Sequence, residues 1–107
     1  MKPITGLPDD VISDVVDAVE DILDDTYLEK FYIGRTNDLE RRRSELGADD
    51  IVPLYKTDRP ENAMDVEGLL LDIFHEDQRC ENESEHEGGG VSPDDVQYVY
   101  IAVWLTN

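Results

Sequence analysis

Two charged residues stand where helical spacing asks for apolar ones, and both are of types that work on phosphate groups. Over residues 37–46 the apolar positions are Leu39 and Leu46, and Arg42 lies three residues after the first and four before the second. It therefore shares their inward face. Over residues 61–75, Ala63, Leu70 and Phe74 mark an inward stripe, and Glu67 falls four residues after Ala63 and three before Leu70. A charge on such a face costs several kcal/mol unless it is paired or given work. The spacing leaves two readings open. Arg42 and Glu67 form a structural salt bridge or sit at a stripe edge, or they belong to a site. Arg35, Arg41, Arg42 and Arg43, four of the six arginines, fall within nine residues. A local positive patch of this kind is what a phosphate-binding surface needs. The plainer reading is of solvated arginines paired with Glu40, Glu45 and neighbouring acids.

The elements that must position these residues can be read from periodicity. Val11, Ile12, Val15, Val16, Val19, Ile22 and Leu23 recur at spacings of three and four, so residues 8–25 form an amphipathic helix. Pro8, Asp9 and Asp10 suit its first turn. Residues 27–33 are aromatic and branched and read as a strand that Gly34 ends. Asn37 with Glu40 makes a capping box for a helix over 37–46 that stops at Gly47. Residues 51–56 read as a second strand, with Pro53 marking an edge or a strand start. Pro60 opens a helix over 61–75, and residues 98–105 are the strongest strand in the chain. This order predicts an α/β or α+β domain whose small three-stranded sheet is covered by helices. The 107 residues suffice for a single domain, with residues 1–26 as an N-terminal covering helix and 76–95 as an acidic, glycine-rich loop.

Nine basic and 27 acidic residues give a net charge of −18, and only Lys2, Lys30 and Lys56 are lysines. Such a chain fits adaptation to high salt, where an acidic surface stays hydrated and self-repelling. The other reading is a DNA mimic whose carboxylates imitate phosphates. A DNA-binding protein at ordinary salt would rarely carry this charge. Hydrophobic residues make up 39%, above what a disordered chain shows, and no apolar run approaches the roughly 20 residues of a membrane span. The N-terminus does not read as a signal peptide, and the single Cys80 agrees with a reducing compartment, so a cytoplasmic location is expected.

Residues 31–42 run Phe-Tyr-Ile-Gly-Arg-Thr-Asn-Asp-Leu-Glu-Arg-Arg. This resembles the second half of the GIY-YIG nuclease signature. There a Tyr-Ile/Val-Gly strand end is followed, eight residues beyond the glycine, by an arginine on a helix, and Arg42 stands eight residues after Gly34. The family's glutamate sits on a later helix after another strand, which is the place of Glu67 in Val66-Glu67-Gly68-Leu69-Leu70. The likeness covers about residues 27–75. No Gly-Ile-Tyr precedes this stretch, and Tyr27 lies five residues before Tyr32, on the opposite strand face. The missing tyrosine's role falls to Tyr55, Tyr98 or Tyr100, or goes unfilled. A position four after the arginine, often histidine in the family, is Leu46 here.

The resemblance implies a mainly antiparallel sheet flanked by helices and a metal-dependent DNA endonuclease, in a salt-adapted organism or its virus. Tyr32, Arg42 and Glu67 would be catalytic. Glu67 would hold magnesium or manganese, Arg42 would bind the phosphate, and Tyr32 would orient or activate the attacking water. Arg35, Asn37, Arg41, Arg43 and Lys56 would contact DNA, and the chain would act as a monomer or weak homodimer. A non-catalytic acidic interaction module on the same fold is the alternative. His75, Cys80 and His86 match no standard zinc spacing. Asn82, His86 and the glycines at 88–90 lie on a long loop of the kind that often carries binding residues, and the plainer reading is a flexible acidic connector.

Overall fold

The computed structural model describes residues 2–82 and 96–106. The elements are α1 (Pro8–Leu23), β1 (Leu28–Thr36), α2 (Leu39–Leu46), β2 (Asp50–Thr57), α3 (Pro60–Phe74) and β3 (Gln97–Leu105). Pro8 and Pro60 each open a helix, where a missing N–H costs nothing. The three strands form one antiparallel sheet in the order β1-β3-β2, giving an α+β fold. β3 is central, and Val99, Tyr100, Ile101 and Ala102 are fully buried because helices cover both faces of it. On one face Phe31, Ile33, Val99, Ile101 and Leu54 pack with α1 and α3 through Val15, Val19, Val66 and Leu70. On the other, Tyr32, Tyr100, Ala102 and Ile51 pack with Leu39 and Leu46 of α2.

Three local features depart from the sequence-based expectation. Gly34 does not end β1, which runs on to Thr36 because Gly34, Arg35 and Thr36 all keep partners on β3. The cap of α2 is Asp38 rather than Asn37. The Asp38 carboxylate accepts from the Arg41 N–H at 3.1 Å, and the Thr36 hydroxyl holds the Asp38 N–H at 3.1 Å, so the helix starts at Leu39. Gly47 does end it, in the left-handed conformation at φ 66°. Pro53 lies on an edge strand, and β2 bulges just after it. Pro53 pairs with Tyr100 and Tyr55 with Val99, so Leu54 is the extra residue. Leu54 and Tyr55 both enter the α1/α3 core, and the alternation then flips, bringing Lys56 opposite Tyr98 on the α2 side.

A three-stranded sheet has two exposed edges, and here short segments close both. Ile4 runs along β2, donating its N–H to the Leu54 carbonyl and accepting from the Lys56 N–H, each at 2.9 Å. The segment after α3 runs along β1: the Phe31 N–H donates to the Arg79 carbonyl at 2.9 Å and the Glu81 N–H to the Phe31 carbonyl at 2.7 Å. The Asn82 side-chain amide extends this pairing by one residue. It accepts from the Ile33 N–H at 3.0 Å and donates to the Ile33 carbonyl at 2.8 Å. Asp77 and Arg79 brace the turn, and Arg79 Nη1 donates to the Leu23 carbonyl at the end of α1. The first part of the expected loop over 76–95 is thus a strand-like brace. Its remainder, with His86 and the glycines at 88–90, lies outside the described residues. Asn82→Ala leaves both backbone groups of Ile33 without that partner, and chemical denaturation should record a loss of about 1–3 kcal/mol.

Candidate functional site

Strand alternation sorts the charged and aromatic residues of β1 into two groups. Tyr32 and Gly34 face α2, while Arg35 lies on the Phe31–Ile33 side, toward α3. Gly34 sits directly across from Tyr100 on β3. A methyl group on Gly34 would lie 2.6 Å from the Tyr100 hydroxyl oxygen and 2.9 Å from Cε1 of Tyr32. The glycine is therefore a steric requirement: it lets two tyrosine rings close over the strand. These rings stack with centroids 6.3 Å apart and planes at 26°.

Arg42 completes this group from α2. Its Nε donates to the Tyr100 hydroxyl oxygen at 3.0 Å, its Nη1 reaches Glu45 at 3.4 Å, and its guanidinium carbon stands 5.9 Å from the centre of the Tyr32 ring. The side chain keeps 30% exposure, so the guanidinium borders solvent while Tyr100 is fully covered. Burial works against the Arg42 charge, but the Tyr100 hydrogen bond, the two tyrosine oxygens and Glu45 together outweigh it and raise its pKa. Burial pushes the Tyr100 hydroxyl up to about 12, against the opposing pull of Arg42, with Tyr32 and Glu67 adding to the rise. The Tyr100 hydroxyl is therefore protonated near neutral pH, available to hold and orient rather than to act as a phenolate.

Glu67 is 3% exposed and lies in the α3 face. Its Oε1 accepts from Arg35 Nε at 2.9 Å, and the two side chains are only 4% and 9% exposed. The internal ion pair weighed for Arg42 and Glu67 is thus made by Arg35 and Glu67. The signal for it was present in the sequence: Arg35 follows Phe31 and Ile33 at a spacing of two. Of the other expected contact residues, Asn37 accepts from Arg41 Nη2 at 3.1 Å, Arg43 pairs with Glu40 at 3.5 Å, and Lys56 stands 5.9 Å from the Tyr98 ring centre. Among the tyrosines left open, Tyr55 points into the opposite core and donates its hydroxyl to the Gly6 carbonyl. Tyr100 is the one that meets both Tyr32 and Arg42.

No family model, no curated protein and no solved structure matches the chain.

A divalent ion needs open carboxylate oxygens. Glu67 as folded does not fit one, because Arg35 holds its Oε1 inside the protein. Among the described residues, no group of three or more His, Cys, Asp or Glu side chains could hold a metal ion. What the Tyr32–Tyr100–Arg42 group can do with its own side chains is bind an oxyanion against a half-exposed guanidinium and orient a water or phosphate oxygen with hydroxyl groups.

Two outcomes check this geometry. A folded-state pKa above the unfolded value means that the folded protein holds the proton more tightly. The stability that the Tyr100 hydroxyl contributes is therefore fully present below pH 10.0 and is lost as the pH rises toward about 12. Denaturant unfolding on either side of that window should show the fall, and Tyr100→Phe should flatten it. Gly34→Ala should displace the Tyr100 ring, cost about 1–3 kcal/mol, and shift the tyrosine titration seen by ultraviolet absorbance.

Proposed function

We propose that the chain is a DNA endonuclease of the GIY-YIG type, hydrolysing phosphodiester bonds in a salt-rich cytoplasm. The observation that carries this reading is the closure of Tyr32, Tyr100 and Arg42 around Gly34. Arg42 binds the phosphate through the part of its guanidinium that borders solvent. Tyr100 holds that guanidinium in place by accepting from its Nε. Tyr32 orients the attacking water. Tyr100 takes the place of the tyrosine that the missing first half of the signature would supply, entering from the last strand instead of from one before Tyr32. Arg41 on the exposed side of α2 and Lys56 beside Tyr98 extend the positive surface for DNA. At about 1 M salt the screening length falls to about 3 Å, so a charge of −18 repels DNA much less than it would in dilute buffer. Dependence on magnesium or manganese belongs to this reading and requires Arg35 to release Glu67.

One observation favours a second reading. The closed Arg35–Glu67 pair suits a relative that binds phosphate groups or protein without cutting DNA. Plasmid cleavage at high salt with magnesium or manganese separates the two. For an endonuclease, Arg42→Ala should lower the rate by about 10²–10³-fold while the fold persists, and Tyr100→Phe should lower it less. Wild-type protein that stays inert under every metal and salt condition overturns the endonuclease. In that case Glu67→Ala should cost about 3–5 kcal/mol, as removal of one partner of a buried pair does, and change nothing else.

A further inference from the structure

The outward side of α3 carries a feature that the internal packing does not use. Gly68 lies in mid-helix, where glycine is less favourable than alanine. Among the described residues, a Cβ added there meets nothing within 4 Å. The glycine is therefore not demanded by a close neighbour, unlike Gly34. It lines a groove of about 350 Å³ between α3 and the start of α1, together with Pro8, Met64 and Leu69. Met64 and Leu69 in the groove, and Ile73 beyond it on the same helix, are 51%, 38% and 52% exposed. The carboxylates of Asp9, Asp65 and Asp72 line the same groove, and neither lysine nor arginine does.

The charge decides the occupant. At moderate salt, where these charges are not screened out, a second copy of the chain would bring the same carboxylates and a net charge of −18, and nucleic acid or an anionic membrane would be repelled. We propose that this groove docks a basic amphipathic helix of a partner protein. An apolar side chain of the partner packs over Gly68, and lysines or arginines on either side meet Asp9, Asp65 and Asp72. The exposed stretch from Met64 to Ile73 is about 14 Å long, matching some two and a half turns of a partner helix. The site lies on the solvent side of α3, across the sheet from Tyr32 and Arg42, and its existence does not depend on the endonuclease reading.

The test uses the full chain and a synthetic lysine–leucine peptide of roughly 14 residues with leucines at helical spacing. A control peptide of equal charge has its leucines scattered around the helix. In about 0.15 M salt, the amphipathic peptide should shift the amide resonances of Met64, Gly68 and Leu69. Gly68→Leu should fold with an equal or higher melting midpoint and weaken binding at least tenfold. Met64→Ser, at an exposed position, should weaken it as well. Equal binding of the control peptide, shifts confined to the outer acids of α1, or unchanged affinity in both variants would overturn the proposal. So would a dimer in sedimentation that Gly68→Leu dissolves, because the occupant would then be a second copy.

Discussion

Among the described strands, the last lies between the first two, and every strand pair includes it. β1 and β2 never touch as neighbours; each pairs only with β3. Both hydrophobic layers are therefore built on the alternation of one segment, with Val99 and Ile101 facing α1 and α3 and Tyr100 and Ala102 facing α2. The Gly34–Tyr100 pairing is the point where this arrangement meets the candidate site. A residue with any side chain at position 34 would push the Tyr100 hydroxyl off the strand, and Arg42 would lose its partner. Because β3 joins only after both outer strands in sequence, most sheet contacts are long-range, and such topologies form slowly.

Three of the few cations of this acidic chain, Arg35, Arg42 and Arg79, are tied into its structure. Arg35 is committed to Glu67 inside the α3 face, and Arg79 ties the post-α3 turn to Asp77 and to the end of α1. Among the described residues, Arg42 is the cation held by a buried tyrosine while still bordering solvent. The pairs at the surface, such as Arg43–Glu40 and Arg59–Glu61, are exposed and contribute little. The other acids among the described residues, Glu67 and Asp77 apart, are exposed. They set how the molecule meets partners and salt and leave the packing to the apolar layers.

No described helix is long and apolar enough to cross a membrane, and helices cover both faces of the sheet. The two glycines that matter most are needed for different reasons. Gly34 is required by what lies above it, whereas none of the described residues lies above Gly68. The first is explained by the fold alone. The second turns attention to something outside the fold.

Periodicity, strand-forming residues and the proline, glycine and capping signals together located the six described elements, because apolar spacing dictates which face each must bury and those signals mark where each stops. It also marked Arg42 and Glu67 as charges on inward stripes, and the brief Tyr-Ile-Gly stretch marked Gly34. Partners were a different matter. Whether Glu67 meets Arg42 or Arg35 depends on which helix covers which face of the sheet, and a helical wheel carries no such information. Which tyrosine joins Tyr32 depends on the register of β3 against β1, set by a contact between residues more than 60 positions apart. The cap at Asp38 and the bulge at Leu54 were decided by local competition, the first by the Thr36 hydroxyl and the second by the need to bury both Leu54 and Tyr55. Sequence determined most of the inward-facing positions, the flip at Leu54 apart; tertiary structure decided whom they meet there, because long-range register and layer order are properties of the packed sheet.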